Sequence, residues 1–118
     1  TGKQVRNWIH VKDNCRAIYA IMMQGRLGET YHISTPEEFS VGEVAQKILG
    51  VFGRPFDAST VEYVEDRAGQ DVRYALDARK LIQELNWSPE FKFEEQLKAL
   101  SHDYRVKYRK GKWPYVNY

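Results

Sequence analysis

Ser40-Val41-Gly42-Glu43-Val44-Ala45-Gln46-Lys47-Ile48-Leu49-Gly50-Val51-Phe52-Gly53 specifies a complete helix, with a start, an apolar face and a stop. Ser40 and Glu43 form an S-x-x-E capping box: the hydroxyl accepts from the Glu43 amide and the carboxylate reaches back to the Ser40 amide. Val41, Val44, Ala45, Ile48, Leu49 and Phe52 recur at helical spacing, Gly53 supplies the terminus, and Pro55 reinforces it.

The flanks on either side alternate strand and helix patterns. Val5 to Val11, with Trp8, Ile9 and Val11, reads as a brief extended segment. Asp13 is an N-cap candidate for a helix over Asn14 to Gln24, where Ala17, Ile18, Ile21 and Met22 share a face and Gly25 follows. Glu29 to Ser34 reads as a short strand, and Thr60 to Val64 as another, followed by a polar loop from Glu65 to Val72. Asp77 is placed to cap a helix carrying Leu81, Ile82 and Leu85, which ends before Trp87-Ser88-Pro89. Phe93 to about Tyr108 reads as a final helix. The expected fold is a small, helix-rich α/β or α+β domain over residues 1–105, with about four helices and short strands. A basic aromatic tail follows over 106–118.

The chain has 118 residues, which suits one domain but not a dinucleotide-binding domain plus a substrate domain. Its 42% hydrophobic and 29% charged content is that of a packed globule. No run approaches the ~18 apolar residues of a membrane span, and no leader-like apolar stretch opens the chain, so a cytoplasmic protein is expected. The net charge of +2 gives no general pull toward nucleic acid. The local excess at Arg105, Lys107, Arg109, Lys110 and Lys112, interleaved with tyrosines and Trp113, reads as a solvated tail. Cys15 is alone, in a helical setting, and is expected to be a buried, inert thiol. His10, His32 and His102 stand far apart with no ligand-spaced partners, so no metal site is expected. There is no glycine-rich dinucleotide turn, no Walker lysine and no nucleophile elbow, so neither cofactor binding nor catalysis is expected from these residues alone.

Three stretches, in order and spacing, resemble one enzyme family. Gly2-Lys3-Gln4-Val5-Arg6-Asn7-Trp8-Ile9-His10-Val11-Lys12-Asp13 is similar to G-x-Q-x-R-D-W-x-x-V-x-D. Gly28-Glu29-Thr30-Tyr31-His32-Ile33 is similar to G-E-x-Y-N-I. Asp66-Arg67-Ala68-Gly69-Gln70-Asp71-Val72-Arg73-Tyr74-Ala75-Leu76-Asp77 is similar to D-R-P-G-H-D-R-R-Y-A-x-D, and Leu85-Asn86-Trp87-Ser88-Pro89 to L-G-W-x-P. Together they resemble the dTDP-glucose 4,6-dehydratases of the extended short-chain dehydrogenase/reductases, the NAD-dependent epimerase/dehydratase family.

The resemblance implies a carboxyl-terminal part that binds a nucleotide sugar such as dTDP-glucose. It also implies NAD held in the full-length enzyme by a Rossmann domain upstream of Thr1, together with the catalytic groups. It implies phosphate contacts from Arg6 and Arg67, and nucleotide contacts at Gln70 and Ser40. Arginine suits a diphosphate because its planar fork keeps its charge when partly desolvated. For Arg67 the competing role is a surface ion pair with Asp66 or Glu65; for Ser40 it is capping. Arg73 and Tyr74 are expected to brace the loop, with Arg73 facing Asp71 or Asp77. Gln70, Ala68 and Val72 depart from the histidine, proline and arginine of the family pattern. Related epimerases and decarboxylases share the domain plan, and a freestanding binding or assembly module, using an uncovered face for a partner and the basic aromatic tail for an anionic surface, is the reading from another class; an uncovered face also allows a homo-oligomer.

Overall fold

The structure, a computed structural model, describes residues 1–108. Its elements are β1 (Val5–Asn7), α1 (Val11–Gln24), β2 (Glu38–Ser40), α2 (Val41–Val51), β3 (Arg73–Tyr74), α3 (Arg79–Leu85) and α4 (Phe93–Tyr108). This is the helix-rich α/β plan expected, in the expected order of strands and helices. The tail from residue 109 onward lies outside the described residues.

The sheet order is β2-β1-β3. β1 pairs antiparallel with β2, Arg6 opposite Phe39, and parallel with β3, Val5 opposite Arg73. Two of the three strands are therefore not where the sequence pattern put them. Glu29–Ser34 and Thr60–Val64 have strand composition but join no ladder among the described residues, because both flanks of β1 are taken. Bonding continues beyond each pairing: Val41 N–H donates to Gln4 O at 3.0 Å, Gly42 N–H to Gly2 O at 2.8 Å, and Val5 N–H to Val72 O at 2.8 Å. Composition favours a strand, but a ladder needs a partner, and the short polar segments beside α2 and α3 are the ones delivered to β1.

β1 is also shorter than expected, because α1 begins at Val11. His10 is its N-cap, with Nδ1 accepting from the Lys12 amide at 3.2 Å. Asp13 is not the cap. It is fully buried, and its carboxylate accepts from the amides of Glu90 at 3.1 Å and Phe91 at 3.0 Å and from Arg16 Nη1 at 2.7 Å. A carboxylate can be buried when its lone pairs are met in this way, and here it ties α1 to the linker before α4.

The capping box of α2 forms as expected, with the Glu43 amide 3.1 Å from Ser40 Oγ and the Ser40 amide 2.7 Å from Glu43 Oε2. At α3 the cap residue is Ala78, one position later than expected, although Asp77 Oδ1 still accepts from the Arg79 amide at 2.9 Å. Asn86 ends α3 at φ 50°, filling the position of the family's glycine with one of the few other residues that tolerate that conformation.

The core lies between α1 and α3: Ala17, Ala78, Leu81, Leu85 and Trp87 are buried, with Ile9, Ile21, Tyr31 and Ile33 packed against them. Cys15, expected inside, is exposed. Three residues after Lys12 it falls on the side of α1 opposite Ala17, so helical spacing alone did not decide which apolar face turned inward. A second packing region joins the sheet to α4. Phe93 meets Phe39 at 4.7 Å and Trp8 edge-on at 6.2 Å, and its amide donates to Glu37 at 3.2 Å. Among the described residues no helix is long and apolar enough to cross a membrane.

Candidate functional site

The loop from Glu65 to Val72 is fastened at one end to Thr1, ahead of the first strand, and at the other to the strand itself. At one end Asp66 accepts from the Thr1 hydroxyl at 2.7 Å. At the other end Val72 O accepts from Val5, and Asp71 O accepts from Arg6 Nη2 at 3.0 Å.

Between these anchors Arg67, Ala68, Gly69 and Gln70 make a tight turn, with the Gln70 amide 3.2 Å from Arg67 O and Gly69 at φ +74°. A negative φ at Ala68 and a positive one at Gly69 fit a type II turn, which glycine adopts without a Cβ penalty. The turn therefore keeps its conformation without the proline seen in the family pattern.

Arg67 projects from this turn into solvent. Its surface ion-pair alternatives are not used: Asp66 is committed to Thr1, and Arg67 makes no salt bridge among the described residues. Arg6 is half-buried on β1, with Nη1 donating to Val5 O at 2.7 Å and its guanidinium 6.0 Å from the centre of the Tyr74 ring. Arg6 thus bonds the same loop that carries Arg67, and Tyr74 provides an aromatic surface beside it. Gln70 is half-buried at the end of the turn.

Ser40 sits opposite Val5 in the ladder, but its hydroxyl is occupied on both sides, accepting from the Glu43 amide and donating to Glu43 Oε2 at 2.8 Å. Arg73 faces neither Asp71 nor Asp77. It reaches from β3 across β1 to β2, where Nε and Nη2 grip the two oxygens of Glu38 at 2.8 and 2.7 Å. That fork lowers the Glu38 carboxyl and raises the Arg73 guanidinium. The structure thus bonds Arg6 to the loop that carries Arg67 and Gln70 and sets it beside Tyr74. Ser40 and Arg73 it commits to internal bonds.

Arg6 and Arg67 bring two guanidinium groups to this region. Asn7 supports it in a way the sequence did not reveal. Its side chain donates to Thr35 O and accepts from the Leu76 amide, both at 2.9 Å, clipping the end of β3 to the segment before β2. The available signal was its place in the first motif, immediately after Arg6. Two further residues with structural roles, Tyr31 and Lys80, lie in or beside the quoted motifs. Tyr31 donates to Glu84 on α3 at 2.8 Å, and Lys80 binds Glu29 at 2.5 Å.

Two cavities lie elsewhere. An apolar one of about 240 Å³ is lined by Trp8, Val44, Ile48, Phe93, Leu97 and Leu100 among others. An open one of about 420 Å³ lies along α1 and the end of α3. Neither is lined by Arg6, Arg67, Gln70 or Ser40. Among the described residues no group of His, Cys, Asp and Glu is arranged to hold a metal ion.

Known proteins with these features agree in kind. The GDP-mannose 4,6 dehydratase family matches residues 1–100. A dTDP-glucose 4,6-dehydratase of Xanthomonas campestris is 42% identical over 111 residues, covering 87% of this chain and 31% of that protein. A low-salt glycan biosynthesis protein of Haloferax volcanii is 46% identical over 98 residues, covering 83% and 31%. The crystal structure of DesIV, a dTDP-glucose 4,6-dehydratase from Streptomyces venezuelae with NAD and TYD bound, superposes with a TM-score of 0.84 at 37% identity, covering 92% of this chain and 33% of that one. The chain thus spans about a third of the length of these relatives. With the motifs, the sheet order and the clamped arginine turn all in hand, the match across residues 1–100 identifies the chain as a member of the GDP-mannose 4,6-dehydratase family, within the epimerase/dehydratase short-chain dehydrogenase/reductases.

Proposed function

We propose that the chain is the nucleotide-sugar-binding part of a dTDP-glucose 4,6-dehydratase, which forms dTDP-4-keto-6-deoxyglucose in its full-length, NAD-bound form. The observation that carries this reading is the Arg67 turn: a guanidinium free of ion pairs among the described residues, on a loop bonded through Asp71 and Val72 to the strand that bears Arg6. A diphosphate needs several N–H donors, and two arginines from separate segments supply them, Arg67 having no salt-bridge partner among the described residues. Tyr74 adds a ring face beside Arg6, and Gln70 a neutral amide on the loop that carries Arg67. Ser40 acts here through its cap, which fixes β2 and α2 beside Arg6.

NAD would supply a temporary hydride acceptor in the whole enzyme. The described residues do not fit it. The positive-φ glycines Gly2, Gly28, Gly53 and Gly69 lie outside the junctions of β1 with α1 and of β2 with α2, where a dinucleotide turn would have to be. No step of the reaction is therefore assigned to these residues, whose part is to bind and orient the substrate.

Titration of dTDP into the chain, followed by calorimetry or by amide shifts, tests this. Binding is expected to be weak, because only part of the cleft is present to offset the ordering costs. Arg67→Ala should weaken it by about tenfold, the scale of one charge-assisted hydrogen bond, without moving the melting temperature. Equal affinity in the two proteins removes the phosphate role.

A further inference from the structure

The apolar cavity of about 240 Å³ lies where α2, α4 and the residues after β1 meet, lined by Trp8, Val44, Ile48, Phe93, Leu97 and Leu100. Val44 is 6% exposed, but Ile48 is 38% and Leu100 45% exposed, so the lining reaches from the interior to the surface. Tyr104, one turn after Leu100 on the same side of α4, carries the apolar stripe on toward the end of the helix. Lys47 binds Glu94 across the two helices, and the Arg105 guanidinium lies 5.3 Å from the centre of the Phe52 ring. These contacts occupy the side of α4 that faces α2. By helical spacing Gln96 and Asp103 border the stripe on the other side. An aromatic-lined groove that is partly in water and framed by polar side chains marks a place where something apolar sits.

Size decides between occupants. One docked aromatic side chain buries roughly 150–250 Å². A separate protein held by contact alone needs about 1,200 Å² or more, which this groove does not offer. A ring delivered by a tether needs far less, because attachment sets an effective concentration on the order of millimolar. Residues 109–118 follow α4 directly and include Trp113, Tyr115, Val116 and Tyr118. The reach is sufficient. From Leu100 to Tyr108 the helix rises about 12 Å, and residues 109–113 span about 17 Å when extended.

We propose that the segment after α4 folds back along the helix and seats Trp113 in the groove between α2 and α4, against Ile48, Leu97 and Leu100. Gly111 supplies the reversal, since it has no Cβ to oppose it. Arg109, Lys110 and Lys112 stay in water, as their charge requires. They pass the border where Asp103 stands, whose ion pair with His102 is a long one at 3.7 Å. Trp8, on the opposite wall, donates its indole N–H to Phe39 O at 3.1 Å. A ring seated beside it therefore packs on the residues that join β1 to β2, next to the strand that bears Arg6. The segment then serves the sheet, and its rings are not free to bind an anionic surface. This assignment goes beyond the nucleotide-sugar reading and does not depend on it.

The test uses the whole chain with labelled methyl groups. The Trp113 ring protons should show nuclear Overhauser contacts to the methyls of Ile48, Leu97 and Leu100. Trp113→Ala should shift those methyl resonances, leave those of Ala17 and Leu81 in the α1–α3 core where they are, and lower the melting temperature by about 3 °C. Leu100→Glu, at a position already half in water, should remove the same contacts. Adding Trp113→Ala to it should lower the melting temperature no further, because two sides of one contact are lost only once. Absence of the contacts, groove methyls that ignore Trp113→Ala, or fully additive losses in the double variant overturn the proposal. Contacts seen only between labelled and unlabelled copies in a mixed sample also overturn it, since the groove would then receive the segment of a second chain. If Leu100→Glu does not fold, Leu100→Gln takes its place in the same comparison. None of these measurements reads dTDP binding, so failure of the Arg67 role would leave this test standing.

Discussion

The linker before α4 and the loop before β3 are both irregular segments fastened by side chains, and they are built to opposite ends. At Glu90 and Phe91 the backbone amides donate to Asp13, which is fully buried, and Arg16 closes the group from outside. Every charge there is spent within the chain. At Arg67 to Gln70 the backbone is held through the Thr1 hydroxyl, Val5 and Arg6, but the guanidinium at the tip has no ion-pair partner among the described residues. The first arrangement contributes stability, because its polar groups would be costly if left unmet. The second holds a charge at a fixed place and leaves its energy for an incoming anion. The same residue types thus separate into structure and recognition according to whether a partner has been supplied.

The sharpest way to break this contrast is Asp13→Ala. Two amides and part of a guanidinium lose their acceptor in a buried site, which should cost about 3 kcal/mol in urea unfolding. At temperatures where the variant is folded, dTDP binding should be unchanged, since the Arg67 loop shares no bond with Asp13. A loss under about 1 kcal/mol would mean that water replaces the carboxylate, and the linker would then be no more committed than the loop.

Asp13 also marks the limit of what the sequence made legible. An aspartate just ahead of an apolar-periodic run is a good cap by local rules, and nothing local signals that its partners lie 77 and 78 residues away. Ser40 and Glu43, by contrast, satisfy each other within four residues, and the helix they start was readable in full. The strands failed for the reason that Asp13 did: pairing is non-local. Glu38–Ser40 and Arg73–Tyr74 have no alternating pattern, and become strands because α2 and the fastened loop carry them to β1. At the candidate site, motif resemblance drew attention to Arg6, Arg67, Gln70 and Tyr74. It could not show that Arg73 would be used up by Glu38, because an ion pair across a sheet leaves no spacing signature, whereas the S-x-x-E spacing did announce the cap that occupies Ser40.

Gly69→Ala sharpens the comparison from the other side. No atom lies within 4 Å of the added Cβ, so only the backbone objects: alanine at φ +74° should cost about 1 kcal/mol. If the turn yields instead of the whole chain, thermal unfolding will move little while dTDP binding weakens, because Arg67 is aimed by that backbone. A full loss of about 1 kcal/mol with binding intact would show that the turn holds its shape under strain and that the position of Arg67 does not depend on the glycine.

The smallest effect is expected at Asp77, which stands at the entrance to α3 between the two regions. Its carboxylate accepts from Arg79 Nε at 2.7 Å and from the Arg79 amide at 2.9 Å, and these bonds, the guanidinium first, pull it from 3.8 to about 2. The folded value lies below the unfolded one. The stabilisation is therefore complete above pH 3.8 and is lost as the pH falls toward 2. Both partners are largely in water, so solvent and salt screen the pair. Asp77→Asn should lower the melting temperature slightly at neutral pH, and the gap between the two proteins should close as acid is added and shrink in high salt. A gap that persists unchanged at pH 2 would show that the charge is irrelevant, and that Asp77 serves α3 only as a neutral acceptor for the Arg79 amide.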